Sequence, residues 1–143
     1  MKLYLDTSAL VKLYVEEEGS SLVRETVQQT ETVATSAIVY VEARAAFSRR
    51  RRERHFSSGD YRRVIQDFDA DWEHYILLEV TDSLIRKAAE LAESHALRAY
   101  DAIHLASAKV LRERLREHVL FASWDSNLLT AARHEGLEPV RGR

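Results

Sequence analysis

The 143-residue chain contains no cysteine, one proline, four glycines and one methionine. The lack of cysteine excludes disulfides, thiolate nucleophiles and Cys-ligated zinc or iron–sulfur centres together. So little glycine and proline leaves small room for long structureless loops, and helix is expected to dominate. No apolar run approaches the roughly 18 residues that a membrane span needs. The opening Met1-Lys2-Leu3-Tyr4-Leu5-Asp6 lacks the charged, apolar and cleavage regions of a secretory signal. A cytoplasmic protein with no membrane partner is expected. Nor is there an excess of one charge: 21 basic residues face 23 acidic ones, a net of −2, so total charge does not mark a nucleic-acid binder. Any chemistry must come from carboxylates, hydroxyls, His, Lys or Arg.

What is present is a soluble globular mix, 45% apolar and 31% charged. The length suits one domain spanning residues 1–143, with no need of a metal or disulfide staple to fold. The charges are segregated. Arg44 and the run Arg49-Arg50-Arg51-Arg52-Glu53-Arg54 place five net positive charges within eleven residues. Acidic residues gather in Glu16-Glu17-Glu18 and between Asp60 and Glu79. Such separation suggests surfaces with different partners, although a solvated helix face explains any single run equally well.

No repeat, linker or low-complexity segment interrupts the chain. Short apolar runs at 3–5, 32–35, 75–80, 119–122 and 138–140 read as strands. Helical patterns lie between them, at 7–15, 20–29, 37–54, 61–72, 83–94, 100–115 and 126–135, with Gly136 ending the last. Ser36 is expected to cap the third helix and Thr81 or Asp82 the fifth. Ser57-Ser58-Gly59-Asp60 is expected to separate the third and fourth. Alternating strands and helices imply an α/β fold, a three-layer α/β/α sandwich around a central, mostly parallel sheet. Sites in such folds form beyond the carboxyl ends of the strands.

Four acids stand out. Asp6 follows the first strand and Asp125 the fourth, each where a helix begins, and each is explained equally by N-capping. Glu42 reads as lying inside the third helix, with the apolar Ile38, Val39, Ala45 and Ala46 at i−4, i−3, i+3 and i+4. That pattern predicts an inward-facing carboxylate, which is costly unless a cation accompanies it. A bond to an arginine of another helix would meet the same need. Asp101 opens Ala102-Ile103-His104-Leu105-Ala106-Ser107-Ala108, a helix apolar nearly all round and therefore central, whose dipole favours a negative charge at its start.

Two carboxylates 4 Å apart repel by about 4 kcal/mol at an effective dielectric near 20, so four converging acids call for a cation. Oxygen ligands without cysteine select hard Mg2+ or Mn2+, and the chemistry this points to is phosphodiester hydrolysis. The hydroxyls of Thr7, Ser8 and Ser123 adjoin Asp6 and Asp125. They are candidates for orienting a carboxylate or a water, or simply for helix-start hydrogen bonds. His104 is read as a packed residue without a catalytic role.

With these residues in view, the sequence resembles the PIN domain, and more narrowly the VapC-type ribonuclease toxins of prokaryotic toxin–antitoxin modules. The resemblance rests on Leu3-Tyr4-Leu5-Asp6-Thr7-Ser8-Ala9-Leu10-Val11-Lys12, on Glu42, on Leu97-Arg98-Ala99-Tyr100-Asp101-Ala102-Ile103-His104-Leu105-Ala106 and on Phe121-Ala122-Ser123-Trp124-Asp125. It spans essentially the whole chain in order. Trp124, before the last acid, departs from the pattern. The resemblance implies a Mg2+- or Mn2+-dependent endoribonuclease in which Asp6 and Asp101 ligate the metal and Glu42 and Asp125 complete the acidic site. It also implies a homodimer and a small cognate antitoxin.

Arg49, Arg50, Arg51 and Arg52 lie about 10–15 Å beyond Glu42 along the helix axis, at 1.5 Å per residue. They are candidates for contact with RNA phosphates or antitoxin, or for a solvated helix end. Tyr4, Tyr14, Tyr40, Phe47 and Tyr100 offer stacking surfaces for bases, although apolar-face spacing assigns most of them to the core. Two alternatives remain. One is a haloacid-dehalogenase-like phosphatase with Asp6 as nucleophile, against which Ser8 stands where a second Asp is wanted. The other is a catalytically silent PIN-fold module that works through protein contacts.

Overall fold

The computed structural model describes residues 1–140. Five strands form one sheet in the order β3-β2-β1-β4-β5: β1 Lys2–Leu5, β2 Thr32–Ser36, β3 Ile76–Leu78, β4 Val119–Ala122 and β5 Glu138–Pro139. Every pairing is parallel, with Tyr4 of the central strand opposite Ala34 of β2 and Phe121 of β4. Seven helices accompany it: α1 Thr7–Val11, α2 Ser20–Gln29, α3 Val39–Arg52, α4 Ser58–Trp72, α5 Asp82–His95, α6 Ala99–Leu115 and α7 Ser126–His134.

The layers follow from strand alternation. Leu3 and Leu5 of β1, Val33 of β2 and Ala122 of β4 face α1 to α4, where they meet Leu10, Val39 and Phe47. Tyr4, Ala34 and Phe121 face the other way, toward α5, α6 and α7, and pack with Leu84, Leu105 and Leu128. This is the expected three-layer α/β/α sandwich, with its sheet wholly parallel among the described residues. The chain leaves β1 toward β2 on one side and later crosses to β4 on the other. Asp6 and Asp125 therefore flank the point where the strand order reverses, the usual position for a site in an open parallel sheet.

Several boundaries differ from expectation. The first helix stops at Val11, not Val15, because Lys12 to Tyr14 turn back on the helix: Lys12 N–H donates to Ala9 O and Leu13 N–H to Leu10 O. The third helix starts at Val39, not Ala37. Ser36 is still strand, the Ala37 N–H is tied to Leu78 O of β3, and the Ser36 hydroxyl accepts from Ile38 N–H. The break before α4 covers residues 53–57, and Ser58-Gly59-Asp60 form its first turn. Ser57 caps that turn by accepting from Asp60 N–H. Arg54, at φ 62, ends α3 with bonds from its own N–H to Arg51 O and from His55 N–H to Arg50 O.

Phe68 of α4 is fully buried among Tyr14, Tyr40, Phe47 and Trp72, with ring centroids 5.4–5.5 Å away. This cluster fastens α4 to α3. Phe68→Ala is expected to lower unfolding free energy by about 3–5 kcal/mol, measured by urea denaturation. A loss below about 1 kcal/mol would show that α4 is not anchored there.

Candidate active site

The most buried acid is Asp6, 3% exposed. It continues β1, donating its N–H to Ala122 O of β4, and its side chain caps α1. One carboxylate oxygen accepts from Ala9 N–H at 2.9 Å and from the Ser8 hydroxyl at 2.7 Å. Burial pushes its pKa above the ordinary carboxylate value. The charge of His104 and the hydrogen bonds from Ser123, Ser8 and Ala9 only partly oppose this. The carboxylate that caps α1 thus also faces the cleft described below.

Glu42 lies in the first turn of α3, not inside the helix, since the helix begins two residues late. The buried stripe is Val39, Ala43 and Phe47, and Ala45 is exposed, so Glu42 sits half-buried at the edge of that stripe. Its Oε1 accepts from the Thr7 hydroxyl at 2.6 Å and lies 3.3 Å from His104 Nε2. Partial burial raises the Glu42 carboxyl, but His104 and Thr7 outweigh it and hold the group below its usual pKa. The need that a buried carboxylate creates is thus met in part by the Thr7 hydroxyl and the His104 ring.

His104 has more to do than the sequence suggests. It is 2% exposed, and its Nδ1 lies 2.8 Å from the Tyr4 hydroxyl under the sheet. Its Nε2 reaches both Thr7 and Glu42. The one signal of this in the sequence is its place one turn after Asp101, on a helix otherwise made of small and apolar residues.

Asp101, in the first turn of α6, and Asp125, the N-cap of α7, share one guanidinium. Arg98 Nη2 lies 3.0 Å from an oxygen of each. Asp125 also accepts from Leu128 N–H at 2.9 Å, and Asp125 N–H donates to the Ser123 hydroxyl at 3.0 Å. Arg98 escapes sequence reasoning as a site residue, although its i−3 spacing from Asp101 is visible there.

These acids line one solvent-open cleft of about 500 Å³ with Asp6, Glu42, Asp101 and Asp125 in its wall. Ser8, Arg49 and Arg50 line it too. The arginine run divides. Arg51 turns onto the Tyr61 ring at 4.9 Å and Arg52 donates to Ser48, both away from the cleft. A second pair of charges closes the rim: Lys12 lies 2.9 Å from Glu17, which also pairs with Arg50.

A divalent cation can be tested against this donor set. The donors are carboxylates and hydroxyls, the chemistry of a hard cation. Arg98 already stands as a positive charge between two of them. Among the described residues no three Asp, Glu or His side chains are gathered in the arrangement of a ready metal site. Asp6 and Glu42 are turned instead to neutral or imidazole donors, and Asp101 and Asp125 to Arg98. The residue types fit such an ion, and the Arg98 side chain that pairs with two of the acids is 79% exposed.

The PIN domain family model matches residues 3–132. The chain belongs to the PIN domain family. Over 133 residues this PIN domain is 33% identical to Ribonuclease VapC45 of Mycobacterium tuberculosis, covering 93% of this chain and 90% of that protein. Among solved structures it is similar to PAE2754 of Pyrobaculum aerophilum, with TM-score 0.67 and 18% identity over 98% of this chain and 90% of the other. It is also similar to VapBC-5 of M. tuberculosis, a member of the VapBC family of toxin-antitoxin systems, with TM-score 0.62 and 16% identity over 99% and 98% of the two chains. PIN membership removes the phosphatase alternative. The hydroxyl of Ser8 donates to Asp6, and no acid stands there to protonate a leaving group.

The raised pKa of Asp6 has a thermodynamic consequence. An acid with a folded pKa above its unfolded value favours the native state while protonated, and loses that advantage as pH rises through the folded pKa. Asp6→Asn, which keeps a cap acceptor, is therefore expected to melt higher than the unaltered protein at about pH 7. The gain should fade below about pH 4, near the unfolded carboxyl value. Thermal scans across pH check it; a lower melting temperature for the variant at neutral pH would contradict it.

Proposed function

We propose that this PIN domain is a divalent-metal-dependent endoribonuclease acting as the toxin of a toxin–antitoxin pair. The observation that carries the reading is the meeting of four acids from four separate segments in one cleft at the carboxyl edge of the sheet, with Arg49 and Arg50 on its wall. The ribonuclease name of a 33% identical relative supports the substrate class. The likeness to a toxin-antitoxin system member supports a small antitoxin partner. We assign the work to a single domain, acting as a homodimer in the cytoplasm. No helix among the described residues is long and apolar enough to cross a membrane.

In this reading Asp6 and Asp101 hold Mg2+ or Mn2+, with Glu42 and Asp125 completing the acidic set. The ion, when bound, supplies Lewis acidity that makes a water more acidic and offsets charge on the phosphate. The chain's own residues do the rest. Ser8 and Ala9 N–H fix the Asp6 carboxylate. Thr7 and His104 keep Glu42 ionised and aimed, so it is available to take a proton from an attacking water. Ser123 fixes the backbone at Asp125. Arg49 and Arg50 draw the phosphate backbone toward the acids.

Purified, antitoxin-free protein is expected to cut single-stranded RNA with Mg2+ or Mn2+ and to stop on addition of EDTA. Asp101→Asn should slow cleavage by at least about 100-fold, the upper cost of disturbing a metal's supporting groups. Inertness toward RNA with every divalent ion would return the protein to the silent binding module. The arginines give a second check. Arg49→Ala with Arg50→Ala should weaken single-stranded RNA binding and flatten its logarithmic salt dependence by about 0.7 for each phosphate left without its arginine. Arg51→Ala with Arg52→Ala should leave both unchanged. Equal effects from the two pairs would contradict the division of the run.

A further inference from the structure

An aromatic side chain stands at the edge of the acidic cleft with nothing in the proposed chemistry to do. Trp124 is 39% exposed and lines the cleft between Asp125 and Lys12. The other tryptophan, Trp72, packs within the ring cluster of α4. The aromatic residues that the sequence offers for stacking serve elsewhere. Tyr4 and Phe47 are fully buried, Tyr14 and Tyr40 pack on Phe68, and exposed Tyr100 is not part of the cleft wall.

Residue 124 is held in place from three sides. The Lys12 ammonium sits 4.7 Å from the ring centroid, and Lys12 is itself buried and paired with Glu17. The ring edge lies against Gly19, whose φ is +92; a Cβ there would come 2.7 Å from Cε2, so glycine alone admits the ring in this pose. The backbone N–H of Trp124 donates to the Ser8 hydroxyl at 3.1 Å, and Ser8 in turn donates to Asp6. The tryptophan and the most buried acid are therefore anchored to the same hydroxyl. A large apolar ring kept rigid, partly exposed and tied to the acids has the properties of a surface on which a flat group is placed.

We propose that Trp124 is the stacking platform for an unpaired base of the bound RNA, seating the nucleotide beside the phosphate that the acids act on. This rests on the ribonuclease reading and names a positioning residue within it. Every base has a π-face, so such a platform selects for an unpaired nucleotide and tolerates its identity. A duplex, whose bases are stacked on each other, is refused.

The test uses the Asp101→Asn protein without added divalent ion, so that cleavage is slow, and a series of single-stranded oligonucleotides each missing one base. Removal of the base at one position should weaken binding by about 5- to 150-fold, the range for one base on an aromatic ring. In Trp124→Ala, intact RNA should bind with that same deficit, and no position should cost more. Trp124→Phe should retain the dependence. With Trp72→Phe added, Trp124 is the sole tryptophan, and its emission should be quenched by the intact oligonucleotide and not by the one lacking that base. Equal binding with and without Trp124 overturns the platform and leaves the nuclease reading standing. So does a Trp124→Ala loss that is independent of the missing base, which would mark the ring as a support for Asp125. Failure of the Trp124-containing protein to bind any of the oligonucleotides overturns the nuclease reading and the platform together.

Discussion

Like charges repel, and this fold brings four carboxylates into a cleft of about 500 Å³. The cost grows as such charges approach, reaching about 4 kcal/mol for a pair 4 Å apart at an effective dielectric near 20. The surroundings are arranged against that cost. Asp6 has two donors on one oxygen, Glu42 has Thr7 and His104, and Asp101 and Asp125 divide Arg98 between them. The helices α3, α6 and α7 all begin at this edge of the sheet, so the positive ends of three helix dipoles lie near the acids. A parallel sheet makes this possible, because every strand delivers its carboxyl end, and the helix that follows, to the same side.

Capping a helix and lining the cleft are not rival explanations for these residues. Asp6 and Asp125 each accept from the backbone N–H three residues ahead and each line the cleft. The helix start holds the carboxylate still, and a still carboxylate is what an ion or a water needs. The cost falls on stability. Burial leaves Asp6 reluctant to ionise, and the burden of its charge is carried by packing elsewhere, notably the two apolar layers on either face of the sheet.

Much of this is legible in the chain. The strands show as apolar runs, and the four acids stand at strand ends and helix starts, where parallel topology gathers them. What escapes is whatever depends on contacts between distant segments. Glu42 reads as deep in a helix because apolar neighbours surround it in sequence, yet helix start and face are set by a hydrogen bond from Ala37 to β3. His104 looks like core, and core it is, but its two ring nitrogens face Tyr4 and Glu42, 100 and 62 residues away. The arginine run reads as one patch, while helical rotation sends Arg49 and Arg50 to the cleft and Arg51 to Tyr61. Trp124 shows in the sequence only as a departure, since the glycine and lysine that pose it, Gly19 and Lys12, lie near the other end of the chain.

The proposed chemistry depends on Asp6 and Asp101 holding a divalent ion in a shared site completed by Glu42 and Asp125. The most direct measurement is equilibrium unfolding of the protein with and without Mn2+, repeated for Asp6→Asn combined with Asp101→Asn. With free metal at about a hundred times its dissociation constant the unaltered protein should gain about 2.7 kcal/mol, and the double variant almost none. Unfolding that Mn2+ leaves unmoved, or moves equally in both proteins, would contradict a shared site.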